Sequence, residues 1–325
     1  MLVARPLMHE LPCVSPKCKN LNEKRTRTKV SVCSQSATNV NEESVGLREI
    51  VVDAAVLSKE QSLRKLFREL GSVVVAYSGG VDSSYVAFVA NEELGEKAIC
   101  VTGESASLPV YQRTEIDRIV NEFGFHHEII ETAEVQNPQY QANDGNRCYF
   151  CKDELYSKLE EIASERTVMH IVDGSTVDDL NDYRPGRKAA AEHSVRSPLI
   201  EVGLNKAEVR QLSRRVNLPT WNKPASPCLS SRIAYGTTVT IERLRKVDSG
   251  EEILREFGFR EFRVRHHDSL VRLEISPAEM DLALKREVVD QLAKRFRELG
   301  FKYVTLDLQG YRSGSMNEAL NQTDD

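Results

Sequence analysis

The chain has 325 residues, 40% hydrophobic and 29% charged, with a mean hydropathy of −0.41, which excludes a disordered polymer and a bundle of membrane spans. Its net charge of −5 becomes −10 once the first forty residues, with seven Lys/Arg and two Glu, are set aside. A body that acidic repels phosphate backbones, so general nucleic-acid binding is disfavoured and a small-molecule substrate is expected.

Residues 1–45 are basic, bear Ser and Thr, and show neither apolar periodicity nor the apolar stretch of a secretory signal. They are expected to be an organelle transit peptide with no fold of their own. The run Val30, Ser31, Val32, Cys33, Ser34 resembles the small-residue context at which plastid leaders are cut, so the chloroplast is the expected compartment and the cytoplasm the alternative. Three of seven cysteines (Cys13, Cys18, Cys33) fall in this leader. Without a secretory signal, the other four read as thiols, metal ligands or nucleophiles and not as a disulfide framework.

Leu47 to Leu70 has helical spacing and ends at Gly71, and Val73 to Tyr77 is a continuous apolar run, the pattern of a strand buried on both faces. Helices are then expected over Tyr85 to Leu94, Val110 to Phe123 and Asp153 to Ala163, alternating with strands over Ala98 to Thr102, His126 to Ile130 and Val168 to Asp173. That alternation predicts an α/β domain, doubly wound around a parallel sheet, over residues 46–235, with ligands beyond the carboxyl ends of its strands. Lys206 to Val216 adds a helix. Beyond Gly236 the order becomes helix (Ile241 to Phe257), strands (Phe262 to Arg265, Leu270 to Ile275), helix (Pro277 to Leu299) and strand (Tyr303 to Leu308), a smaller α+β domain over 236–325.

Between the first buried strand and the next helix lies Ser78, Gly79, Gly80, Val81, Asp82, Ser83, Ser84. Two glycines permit positive φ and close backbone approach, so successive N–H groups can surround phosphate oxygens at a helix N-terminus, with Ser83 and Ser84 adding hydroxyls. Asp82 would repel those phosphates, which implies a bound Mg²⁺ or a capping role. The loop has neither the Gly-Lys-Ser/Thr of a Walker loop nor a dinucleotide fingerprint. The heptapeptide resembles the PP-loop of ATP pyrophosphatases. The resemblance implies cleavage of ATP between its α- and β-phosphates, with AMP placed on a substrate oxygen as an activating leaving group.

Arg147, Cys148, Tyr149, Phe150, Cys151, Lys152 precedes a predicted helix, and Cys228 lies in Pro227-Cys228-Leu229-Ser230-Ser231-Arg232. Alone, CxxC reads equally as half a zinc site, a redox pair or two plain thiols, and a lone Cys in a Pro-rich loop as packing or nucleophile. Lys152 and Arg232 would lower a thiol pKa if close in space. Together with the segment Asp173 to Arg187 and the C-terminal Leu306-Asp307-Leu308-Gln309-Gly310-Tyr311-Arg312-Ser313-Gly314-Ser315-Met316-Asn317, these motifs resemble the LarE family of ATP-dependent sulfur transferases, over about Glu60 to Asn317.

That resemblance implies adenylation of a pyridinium dicarboxylate mononucleotide, attack by sulfur and release of a thiocarboxylate. In one branch of the family the cysteine at the Cys228 position gives up its own sulfur. In the other, three cysteines hold a [4Fe-4S] cluster with an open iron. Cys148, Cys151 and Cys228 match the three-cysteine pattern, and a homo-oligomer is implied. Catalytic roles are expected for Cys228, Asp82 and Arg232.

Asp178, Asp179 and Asp182 with Arg184 and Arg187 follow the fourth strand, where acids can hold Mg²⁺ and guanidinium forks a phosphate or carboxylate. Arg263 and Arg265, two apart on a predicted strand, share a face and are expected at the substrate together with Asp179, Arg184 and Arg187. Glu104 and Ser105 are placed near the nucleotide. His126, His127, His266 and His267 are read as polar surface positions, since neighbours on a strand point to opposite faces. The competing functions are an amide-forming synthetase of the NAD or GMP type, a tRNA thiolase, and a nucleotide-binding regulatory protein that would have no use for the cysteines.

Overall fold

The computed structural model describes residues 52–180, 185–224 and 226–312; the expected leader, Arg184, Asp182 and the segment beyond Arg312 lie outside the described residues. Helix α1 (Ala54–Leu70) starts where the Asp53 carboxylate accepts from the Ala55 amide and stops at Gly71 in a positive-φ conformation. Strand β1 (Val73–Ala76) pairs in parallel with β2 (Ala98–Glu104) and β4 (His170–Val172), and β2 with β3 (His127–Glu131), giving the order β3-β2-β1-β4. All four residues of β1 are buried.

Period-two geometry sends them alternately to two cores. Val73 and Val75 pack with Leu63 and Phe67 of α1, Tyr85 and Val86 of α2 (Val81–Leu94), Ile116 and Ile119 of α3 (Val110–Phe123), and Leu212 of α8 (Lys206–Arg215). Val74 and Ala76 face Tyr156 and Leu159 of α5 (Arg147–Glu165) and Ala189 and Ala190 of α6 (Pro185–Glu192). Each such buried Val contributes about 1.5 to 3 kcal/mol. Because the chain runs outward from β1 to β3 and then returns to β4 on the other side of β1, the topology reverses between β1 and β4, where open sheets of this kind bind ligands.

Short helices α4 (Pro138–Gln141) and α7 (Pro198–Glu201) link these elements. The second layer begins with α9 (Ile241–Glu256), capped by Thr240 on the Arg243 amide at 3.2 Å. Strands β5 (Phe262–His267) and β6 (Leu270–Ile275) form an antiparallel hairpin whose turn holds Asp268 at φ 51°, and β7 (Tyr303–Leu306) adds in parallel to β6.

The single helix expected over Pro277 to Leu299 is instead a 3₁₀ turn at Pro277–Glu279, then α10 (Met280–Ala283) and α11 (Arg286–Glu298). Lys285 adopts an extended conformation between α10 and α11, which resets the apolar face so that Leu292 and Phe296 meet the sheet. The core of this layer takes in Leu229 and Ile233 of the Cys228 segment, with Phe150 and Cys151 packed against it. His266 corrects the surface reading: it is 2% exposed and meets Phe301 edge-on, while His127 shares a 2.8 Å hydrogen bond with Thr102. Among the described residues no helix is long and apolar enough to cross a membrane.

Candidate active site

The glycine-rich loop leaves β1 at the topological switch. Gly79 has φ 66°, and a Cβ there would lie 2.5 Å from Ile116 Cγ1, so only glycine fits. Gly80 is the N-cap of α2 and no side chain caps that end, which leaves the first N–H groups of the helix without intrahelical partners. Ser83 Oγ lies 3.0 Å from Ser78 Oγ and 3.3 Å from the Ser78 amide, folding the loop on itself. Its carbonyls are held by other segments: Gln112 Nε2 donates to Ser78 O at 2.7 Å and Lys223 Nζ to Gly79 O at 3.3 Å, Lys223 also pairing with Glu115 at 2.5 Å. Ser84 is wholly buried beside the Tyr77 hydroxyl.

The segment after β4 forms the facing wall. A Cβ on Gly174 would stand 2.7 Å from the Ser83 amide nitrogen, so this loop lies directly against the start of α2. Asp179 is 4% exposed; it accepts from the Thr176 amide at 2.9 Å and from Lys206 Nζ at 2.8 Å, and Arg187 donates to its carbonyl at 3.4 Å. Asp178 accepts from the Lys206 amide at 2.8 Å. Asp82, by contrast, has no hydrogen-bond partner among the described residues. Burial first, and the Asp179 and Asp178 charges after it, push its carboxyl up to about 6 against the opposing pull of Lys206 and Arg210. An unpaired half-buried acid beside the glycine-rich loop fits a Mg²⁺ site, since Mg²⁺ takes one or two carboxylates and completes its shell with phosphates and water.

The CxxC motif does not precede α5 but opens it. The Asp144 carboxylate accepts from the Asn146 amide at 2.7 Å, and α5 starts at Arg147, which puts Cys148 and Cys151 three apart on one face of the first turn. Cys228 immediately precedes a 3₁₀ turn, Leu229–Arg232. The Leu229 amide donates to Ser107 O at 2.9 Å, Tyr140 and Ser230 share a 2.5 Å hydroxyl contact, Arg147 donates to Ser230 O at 3.0 Å and Arg265 to Ser231 O at 3.0 Å. Asn143, at φ 55°, gives its amide hydrogens to the carbonyls of Ala234 and Thr237, at 2.8 and 2.9 Å, and accepts from Arg147.

Cys228 acts on both thiols of the CxxC pair. Desolvation first, then Cys228, raises both Cys148 and Cys151, while Arg147 and Lys152 draw Cys148 back down. Among the described residues no three His, Cys, Asp or Glu side chains stand close enough to hold one metal ion. Three thiols with no fourth protein ligand are the donor types of an iron–sulfur cluster that keeps one iron open, and one short of a structural zinc site.

Arg232 is 1% exposed; it pairs with Glu251 at 2.8 Å and donates to the carbonyls of Pro227 and of Cys228, the latter at 3.0 Å. Its guanidinium braces the cysteine loop. Arg263 and Arg265 do lie on one strand, with Arg265 facing Arg272 across the hairpin, but Arg265 is buried against Glu274 at 2.8 Å. Arg263 packs over the Tyr311 ring at 4.7 Å, and burial, followed by the Arg232 charge, lowers its pKa. Glu104 pairs with Arg113 at 3.0 Å.

Sequence reasoning missed the connectors. Ser226 Oγ donates to Gln112 Oε1 at 3.3 Å, so Ser226, Gln112 and Ser78 form a hydrogen-bonded chain from the Cys228 segment to the phosphate loop. Asn143, Gln112 and Lys223 carry no local motif, and no sequence signal marks them. Glu134, 3% exposed, accepts from Ser105 and from Ser107, the latter at 2.9 Å, while its Oε2 is buried and without a hydrogen bond.

The chain is similar to an uncharacterized protein of Synechocystis sp., with 44% identity over 265 residues, 82% of this chain and 99% of that one. It is similar to pyridinium-3,5-bisthiocarboxylic acid mononucleotide synthase of Lactiplantibacillus plantarum, with 35% identity over 272 residues, 83% and 97% of the two chains. A more distant similarity, 27% over 221 residues, joins 61% of this chain to 42% of the glutamine-hydrolysing GMP synthase of Bacillus cereus, as expected for a shared PP-loop fold. No protein-family model matches the chain. With the glycine-rich loop at the switch point and 35% identity across nearly all of the Lactiplantibacillus synthase, this chain is an enzyme of the LarE family, within the PP-loop ATP pyrophosphatases.

Proposed function

We propose that the enzyme uses ATP to adenylate a carboxylate of a pyridinium dicarboxylate mononucleotide, releasing pyrophosphate, and then brings a sulfur anion to the acyl adenylate, so that AMP leaves and a thiocarboxylate forms. A carboxylate resists nucleophiles because oxide is its leaving group; AMP is a far better one. The observation that carries this reading is the Ser226-Gln112-Ser78 chain, which ties the cysteine segment to the phosphate loop. In this reading activation and sulfur delivery take place side by side.

In this reading the N–H groups of Gly79, Gly80 and the first turn of α2, with the Ser78 and Ser83 hydroxyls, hold the pyrophosphate. Asp82 holds Mg²⁺, and Lys206 keeps Asp179 and Asp178 from repelling the nucleotide. Arg187 and Arg184 bind the substrate phosphate or carboxylate from the segment after β4, with Asp179 orienting that segment. Arg265, paired with Glu274, acts through the Ser231 carbonyl as a positioning residue, as Arg232 does through the Cys228 carbonyl. Cys148, Cys151 and Cys228 hold a [4Fe-4S] cluster, whose chemistry when bound is to present a sulfide on its open iron.

Anaerobic reconstitution tests the sulfur source. Wild-type protein is expected to gain a broad visible absorption with iron and acid-labile sulfide, and Cys151→Ser to lose them. No cluster, with a mass loss at Cys228 equal to H₂S after turnover, would instead make Cys228 itself the sulfur donor.

A further inference from the structure

Arg147 stands between the two cysteine segments. It is 5% exposed, it opens α5 beside Cys148, and one terminal nitrogen donates to Ser230 O at 3.0 Å and to Asn143. Its Nε is buried and has no hydrogen-bond partner. A buried N–H left unpaired is costly, and more so on a cation, so such a donor calls for an acceptor that is not a protein oxygen or nitrogen. The groups it interacts with electrostatically are Cys228, Cys148, Tyr140 and Tyr235, and Tyr235 also receives its guanidinium over the ring at 5.9 Å.

The other charges facing the thiols do not fill this place. Lys152 lies over the Tyr156 ring at 5.3 Å and interacts with Tyr156 first, then with Cys151 and Asp173, so it serves the Cys151 side and not Cys228. Glu134, on the Cys151 side, is negative and adds to the repulsion. Three thiolates with a bound sulfide are a concentrated anion, and Arg147 is the cation that serves its Cys148 and Cys228 side.

We propose that Arg147 is the positioning residue of the sulfur-bearing group: its Nε–H donates to a sulfur held by Cys148, Cys151 and Cys228, neutralising that anion while the same guanidinium fixes Ser230 and hence the Cys228 loop. This rests on the cluster reading above. Hydrogen bonds to sulfur and local charge set both the retention and the potential of such centres.

The test uses full-length protein reconstituted anaerobically with iron and sulfide, as wild type, Arg147→Gln and Arg147→Lys. Arg147→Gln is expected to retain at least fivefold less iron and acid-labile sulfide after desalting, and its remaining cluster to show a downward shift in midpoint potential. Arg147→Lys, which restores the charge, should recover most of the potential. A defect of packing alone would not follow the sign of the charge.

A readout that needs no variant guards against misfolding: wild type grown with ¹⁵N-labelled arginine should show a nitrogen coupling in pulsed electron paramagnetic resonance of the reduced cluster. A wild-type cluster with no such coupling, or an unchanged potential in folded Arg147→Gln, overturns this role and leaves the proposed function standing. Wild type that forms no cluster overturns the cluster reading and this inference together.

Discussion

Ser78 to Ser84 are seven consecutive residues whose shape follows from their own glycines and from the helix they start, whereas the thiol site joins α5 to a loop that Arg147 reaches across 83 residues. The phosphate loop needs its neighbours only as backing: Ile116 fills the space a Gly79 side chain would take, and Gln112 and Lys223 hold its carbonyls. Cys228 depends on other segments for its position, since the contacts that hold its turn come from Ser107, Tyr140, Arg147 and Arg265 as well as from its own Arg232. Local motifs survive rearrangement of the fold around them; assembled sites do not.

The largest effect should separate the two regions by partial reaction. Cys228→Ser is expected to abolish the thiocarboxylate product while substrate-dependent pyrophosphate release persists, whereas Ser83→Ala with Asp82→Asn should abolish both. Pyrophosphate release unchanged in that double variant would remove the glycine-rich loop from the active site.

Gly79→Ala comes next. It combines a positive φ with a 2.5 Å approach to Ile116, a cost of about 2 to 4 kcal/mol in chemical denaturation, part of which a companion Ile116→Ala should relieve. An alanine variant as stable as wild type would mean that the loop conformation is not tightly determined.

Asn143→Ala strips the amide donors from the carbonyls of Ala234 and Thr237 and the acceptor from Arg147, which should cost about 2 to 3 kcal/mol and lower sulfur transfer more than pyrophosphate release. Equal losses in both reactions would blur the contrast between the two regions.

The smallest effect has the opposite sign. The Asp82 carboxyl is raised to about 6 in the fold, chiefly by burial, so it favours its neutral form there. Above pH 6 it is ionised in both folded and unfolded chains and the fold bears the penalty; below the unfolded value it is neutral in both and the penalty is gone. Asp82→Asn should therefore stabilise the ligand-free enzyme by about 1 to 3 kcal/mol at pH 7 to 8, with the gain fading as the pH falls toward 4. Thermal unfolding across that range checks it. A gain that grew on acidification would place the raised pKa elsewhere.

Much of the parallel sheet could be read in the chain itself, because Val73 to Ala76 is apolar at every position and a strand buried on both faces leaves that mark. Helix α3 begins and ends where its apolar spacing does, at Val110 and Phe123. The break at Lys285 leaves no mark in the sequence, because the apolar period continues through it while the backbone there is extended. The roles of arginines were the least legible. A guanidinium reads the same in sequence whether it awaits a ligand or, like Arg232 and Arg265, is buried against Glu251 and Glu274.

Composition, periodicity and the seven-residue loop determined by themselves an α/β scaffold with a glycine-rich turn at the end of its first strand, since hydrophobic patterning and glycine conformation act over a few residues. Tertiary structure alone decided that Gln112 and Ser226 would join that loop to the Cys228 segment, that Asp82 would be left unpaired, and that Arg147 would hold the Ser230 carbonyl. Those are contacts between segments distant in the chain, and their energies come from burial and charge that exist only once the layers have packed.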